Sequence, residues 1–127
     1  IFVEINGFVM REIEQLYHNN FGIAFYWKKE NETITDKIQL VFKETGFYFT
    51  VQELNLFCDL IEDSMIENAC CEACELKNSC NKFLLKTPCA SIDLAVSVKE
   101  LKSIKDLVEG SLFRIELDEY VYGVGLN

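Results

Sequence analysis

Cysteine dominates the chemistry this sequence could do. The chain has six, and four crowd one stretch: Ala69-Cys70-Cys71-Glu72-Ala73-Cys74-Glu75-Leu76-Lys77-Asn78-Ser79-Cys80. Cys71-x2-Cys74 is the spacing at which two thiolates reach one tetrahedral ion. Cys80 and Cys89 would complete a four-sulfur set of Cys71, Cys74, Cys80 and Cys89. Zinc is the default occupant of such a set. An iron–sulfur cluster is the runner-up, because Cys-x2-Cys-x5-Cys resembles cluster spacings, but the glycines that usually surround a cluster are missing. Two further readings stay open. The cysteines are ordinary reduced thiols, or they pair, as disulfides or with Cys71 and Cys74 as a redox couple. Glu72 and Glu75 would raise the neighbouring thiol pKa values, which argues against a reactive nucleophile. Cys58 falls on a helical stripe and reads as a small core residue, and Cys70 reads as the end of a helix.

Other chemistry is sparse. His18, the single histidine, stands beside Tyr17 and Asn19 and reads as a solvated turn residue. The sequence has no glycine-rich phosphate loop, paired-histidine zinc motif or nucleophile elbow. The carboxylates Glu53, Asp59, Glu62, Asp63 and Glu67 fall opposite an apolar stripe, as on a solvated helix face. Asp93, inside Ile92-Asp93-Leu94, alternates outward. Asn31-Glu32-Thr33 fits a glycosylation sequon, which has no meaning in a cytosolic protein.

The whole-chain balance narrows the partners. Lys and Arg number 12 against 21 Asp and Glu, a net charge of −9, and such an excess repels nucleic-acid phosphates. With half its 127 residues hydrophobic and one proline, the chain has enough apolar surface for one domain with its own core, and too much to stay disordered. No stretch approaches the ~18 or more uninterrupted apolar residues of a membrane span. Ile1-Phe2-Val3-Glu4-Ile5 lacks a basic lead and does not read as a signal peptide. The cysteine density is below that of a disulfide scaffold, so a reduced, cytoplasmic setting is expected.

The elements that would position any site come in two similar halves. At an offset of 47, Phe49-Thr50-Val51-Gln52-Glu53-Leu54 aligns with Val96-Ser97-Val98-Lys99-Glu100-Leu101. Thr50 and Ser97 are N-caps, Glu53 and Glu100 close the capping boxes, and Phe49 with Leu54 and Val96 with Leu101 form hydrophobic staples. Beyond the caps, Leu54, Phe57, Cys58, Ile61 and Met65 make one helical stripe. Leu101, Ile104, Val108, Leu112 and Ile115 make the other. Strands are predicted over 37–42 and 47–49 around a turn at Thr45-Gly46, and over 82–87 and 91–96 around Pro88. Residues 22–28 read as a further strand, 10–17 as a strand with a short helix as the alternative, Asn31-Glu32 as a turn, and 120–127 as a fraying end. The pattern predicts an α+β fold, with an antiparallel sheet of about five strands and two similar helices on one face. Its pseudo-repeats cover about 37–66 and 82–117.

Gly22, Ile38-Gln39-Leu40-x-Phe42, Phe49-Thr50-x-x-Glu53-Leu54, Thr87-Pro88 and Leu94-Ala95-x-Ser97-x-x-Glu100-Leu101 resemble the pattern of a family of small bacterial proteins of unknown function, over residues 20–110. These motifs are structural, so the resemblance implies a fold and no activity. Some members of that family carry a cysteine pair between the positions of Gly22 and Ile38. This sequence has Trp27-Lys28-Lys29 there, a departure that argues against a family-wide metal site. Three functions stand on the residues. The first is a non-enzymatic cytosolic binding or regulatory module acting through an aromatic surface (Phe21, Phe25, Tyr26, Trp27, Phe42, Phe47, Tyr48, Phe49), with a homodimer as one form. The second is a structural zinc protein, and the third a thiol redox protein.

Overall fold

The computed structural model describes residues 2–5, 8–68 and 82–122, with side chains from residue 12 onward. In chain order the elements are β1 (Phe2–Ile5), β2 (Phe8–His18), β3 (Gly22–Lys29), β4 (Glu32–Thr33), β5 (Ile38–Phe42), β6 (Thr45–Phe49), α1 (Val51–Glu67), β7 (Phe83–Lys86), β8 (Asp93–Val96) and α2 (Val98–Tyr122). The fold is α+β. An antiparallel sheet runs β1-β2-β3-β5-β6, with β4 paired to β3 beside that path. All five strands of the path come from the first 49 residues. The β7–β8 hairpin forms its own two-stranded sheet and packs against α1.

Period-two alternation gives the main sheet its inner face. Ala24, Tyr26, Ile38, Leu40, Phe42, Phe47 and Phe49 are buried there, while Gln39, Val41 and Tyr48 point to the other side. Two-residue turns keep these registers. The turn expected at Thr45-Gly46 lies instead at Lys43-Glu44, where Phe42 pairs with Thr45 and the φ angles are 49° and 63°. Two consecutive left-handed residues form the turn whose twist matches that of the flanking strands, and this position keeps Phe42 and Phe47 on one face. The same geometry recurs at Glu30-Asn31 (φ 52° and 69°), one residue before the turn expected there.

Both helices begin as predicted. The Thr50 hydroxyl accepts from the Glu53 amide at 3.1 Å, and the Thr50 amide donates to Glu53 Oε1 at 3.0 Å. The second box repeats this. Glu100 N donates to Ser97 Oγ at 3.1 Å, and Ser97 N to Glu100 Oε1 at 2.9 Å. The staple residues Phe49, Leu54, Val96 and Leu101 are all buried. Leu54, Phe57 and Ile61 of α1 meet Leu101, Ile104, Leu107, Val108 and Ile115 of α2 in one core with the inner sheet face. Cys58, Met65 and Leu112 pack at its margin. α2 runs on to Tyr122, through the first residues of the segment expected to fray.

Candidate interaction surface

Of the four candidate metal ligands, Cys71, Cys74 and Cys80 lie outside the described residues, as does Cys70. Cys89 sits in the β7–β8 turn, half-buried against the core. Its amide donates to the Thr87 hydroxyl oxygen at 3.2 Å, and its carbonyl accepts from Ile92 N at 2.9 Å and from the Thr87 hydroxyl at 3.0 Å. The backbone around Cys89 is therefore held as a turn. Among the described residues, no three of His, Cys, Asp and Glu gather as a metal-holding group. Cys58 is a half-buried thiol on α1. Burial and then the charges of Glu109, Glu62 and Asp59 push its pKa up, so little thiolate forms at neutral pH.

A polar cluster joins the N-terminal strands to α2. After a β-bulge between Gln15 and Tyr17, both Leu16 and Tyr17 lean on the core. The Tyr17 hydroxyl donates to both Asp106 oxygens, at 2.9 and 3.1 Å. Asn19 Nδ2 donates to Asp106 Oδ2 at 3.0 Å and to the Ser103 carbonyl at 2.9 Å, and Asn19 Oδ1 accepts from the amides of Phe21 and Gly22. Asp106 thus accepts from both Tyr17 and Asn19, which makes it a bracket between the end of β2 and α2. That hydrogen bond, with lesser help from burial and the Asp106 charge, raises the Tyr17 pKa and keeps the phenol a donor. His18 closes β2, exposed, with Nδ1 2.8 Å from Gln15 Nε2.

The expected aromatic surface divides between the two sheet faces. Phe42, Phe47 and Phe49 belong to the core, where Phe47 stacks on Phe49 at 5.0 Å and Phe49 meets Phe57 edge-on at 5.9 Å. Phe21 stacks on Phe42, and Tyr26 is also a core residue. On the outer face, Trp27 lies edge-on to Phe25 at 5.0 Å and donates to Gln39 Oε1 at 3.1 Å. Tyr48 is exposed, with the Lys37 ammonium 5.3 Å from its ring centre. On this face Phe25 is buried, Trp27 half-buried and Tyr48 exposed.

The larger uncovered apolar surface is on α2, where sequence reasoning did not place it. Phe113, Leu117, Tyr120 and Val121 are 65, 42, 86 and 59% exposed. Their i, i+4, i+7, i+8 spacing puts them on one side of the helix, opposite the buried Leu107, Ser111 and Ile115. The C-terminal half of α2 is thus apolar on two sides. Glu109 and Glu116 border the exposed stripe along one flank, seven residues apart; Glu109 is 4.0 Å from Lys105, and Glu116 makes no hydrogen bond or ion pair with any described residue. Arg114, the single base between 106 and 122, is bound through Nε to Asp118 at 3.0 and 3.2 Å. No helix among the described residues is long and apolar enough to cross a membrane. Compared with models of known protein families, with curated proteins and with solved structures, the chain finds no match.

Proposed function

We propose that this chain is a non-enzymatic binding module, and that its partner is a protein segment bearing apolar and basic side chains, seated on the outward face of α2. The exposed stripe of Phe113, Leu117, Tyr120 and Val121 carries this reading. Contiguous exposed apolar side chains on a helix whose other side already fills a core are the usual mark of an interaction surface. The rim decides the kind of partner. In an antiparallel two-fold pair of α2 helices, the Glu109/Glu116 flank of one copy would lie along the same flank of the other. A basic partner turns that repulsion into attraction, and the net charge of −9 steers it in. A cytoplasmic setting, where thiols stay reduced, is part of the proposal and is supported by the free thiols Cys58 and Cys89.

Two synthetic 18-residue amphipathic helices test it, one of leucine and lysine and one of leucine and glutamate. The lysine peptide should bind and the glutamate peptide should not. F113D/Y120D should abolish binding, E109K/E116K should weaken it at least tenfold, and D59N/D63N on α1 should leave it unchanged. Equal binding to F113D/Y120D, or equal loss in D59N/D63N, would reduce the result to attraction by net charge and overturn the proposal. A wild-type dimer in sedimentation that F113D/Y120D dissolves would overturn it in favour of a second copy of this chain.

A further inference from the structure

On the opposite side of α2, between its last turns and the end of the sheet, opens a cavity of about 480 Å³, within the size range of small-molecule sites. Polar side chains line it from four elements: Glu14 of β2, Tyr26 of β3, Thr33 of β4, and Arg114, Asp118, Glu119 and Tyr122 of α2. Glu14 and Tyr26 are direct cross-strand partners, so one side of the cavity is fixed by the β2–β3 ladder.

Two independent observations point to a ligand. Tyr26 is only 9% exposed, yet its hydroxyl has no hydrogen-bond partner among the described residues. No buried side-chain polar atom among the described residues is both sealed and unpaired, so this oxygen opens onto the cavity it lines. The second observation is an excess of negative charge. Among the described lining residues three carboxylates face one guanidinium, that guanidinium is already bound to Asp118, and Glu14 and Glu119 make no hydrogen bond or ion pair with any described residue. The last turn of α2 carries no basic side chain, although a helix C-terminus favours a cation.

We infer that this cavity binds a primary alkylammonium group, with Glu14 and Glu119 facing its charge, the Tyr26 oxygen accepting an N–H, and the Tyr122 ring covering the alkyl chain. Burial and then the charges of Asp118 and Glu119 raise the Tyr26 pKa, so the phenol stays neutral and adds no competing charge. A phenol with one free lone pair, two unpaired carboxylates and an aromatic face match an ammonium better than an anion, which the same carboxylates would repel.

The inference stands apart from the binding face on the far side of the helix, and the test keeps the two separate. Cadaverine, Nα-acetyl-lysine methylamide and glutarate are titrated into the full chain while the backbone amides of Tyr26 and Arg114 are followed by NMR. Cadaverine should saturate and glutarate should not. E14Q/E119Q should raise the cadaverine Kd at least tenfold, Y26F severalfold with the fold intact, and F113D/Y120D should leave it unchanged. Tighter binding of the capped lysine identifies a protein side chain as the source, and tighter binding of cadaverine a free amine. Either supports the site. No saturation by either amine, equal binding of glutarate, or an unchanged Kd in E14Q/E119Q would overturn it.

Discussion

Gly110 offers a test in which the sign of a substitution reverses with its neighbour. It lies inside α2, where alanine ordinarily improves on glycine by about 1 kcal/mol. Here a Cβ would lie 2.6 Å from Cε2 and Cζ of Tyr17 and 2.7 Å from Cδ2. Two carbons want about 3.5–4.0 Å, so the ring must withdraw by about 1 Å. Its hydroxyl would then leave the Asp106 carboxylate it now meets at 2.9 and 3.1 Å. Overpacking of this kind costs about 1–3 kcal/mol. Set against the helix gain, Gly110→Ala should destabilise the chain by about 1 kcal/mol, or about 3–5 °C in Tm for this size. In a Tyr17→Ala background the ring is gone, and the same change should stabilise by about 1 kcal/mol. Urea unfolding of the four proteins should therefore give a coupling near 2 kcal/mol. Stabilisation by the same amount in both backgrounds would show that the Tyr17 ring does not rest on Gly110 and would sink the reasoning.

Three further predictions concern caps, charge and thiols. Thr50→Ala and Ser97→Ala should each destabilise by about 1 kcal/mol, with additive effects in the double variant, and chemical denaturation would expose any shortfall. Partial burial raises the Glu100 pKa, but hydrogen bonds from Lys43 (2.6 Å), the Ser97 amide and Lys82 (3.2 Å) outweigh it and hold the carboxyl down to about 2. Its folded value lies below the unfolded 4.5, so its stabilisation is fully present above that pH and fades as pH falls towards 2. Glu100→Gln should accordingly be less stable than wild type at pH 7, with the gap closing between pH 4.5 and 2; a constant gap would contradict the assignment. Cys58 should alkylate with iodoacetamide at pH 7.5 more slowly than free cysteine, because burial and three nearby carboxylates disfavour its thiolate. A rate matching free cysteine would refute that.

What could be read from the sequence is what local chemistry decides. A capping box needs four consecutive residues and a staple six, so both helix starts were legible to the residue in Thr50–Glu53 and Ser97–Glu100. The buried stripe of each helix and the alternation of Ile38, Leu40 and Phe42 were legible for the same reason. Strand pairing was not. That β7 and β8 pair with each other outside the main sheet depends on contacts far apart in sequence, which no local pattern encodes. The two tight turns were displaced because Lys43-Glu44 and Glu30-Asn31 adopt left-handed φ without glycine; register, rather than residue type, imposes it. The spacing of Phe113, Leu117, Tyr120 and Val121 did hold a readable signal for the exposed face. It was obscured because Leu112 and Ile115 already supply the stripe that a packed helix requires. Tyr26, Glu14 and Glu119 are 12 and 93 residues apart along the chain, and only the fold brings them to one cavity.

The arrangement of the core also sets an order for synthesis on the ribosome. The main sheet is complete by Phe49, whereas α2, the helix packed on β2 and β3, follows every other described element and runs to Tyr122. At about 5–20 residues per second, the nascent sheet waits roughly 4–15 seconds for the whole of α2. During that interval α1, which emerges first, is the available native cover. The acidic excess of the chain supplies repulsion between neighbouring nascent copies. Truncated chains that stop before α2 should therefore be the species that chaperones hold and that aggregate when chaperones are limiting.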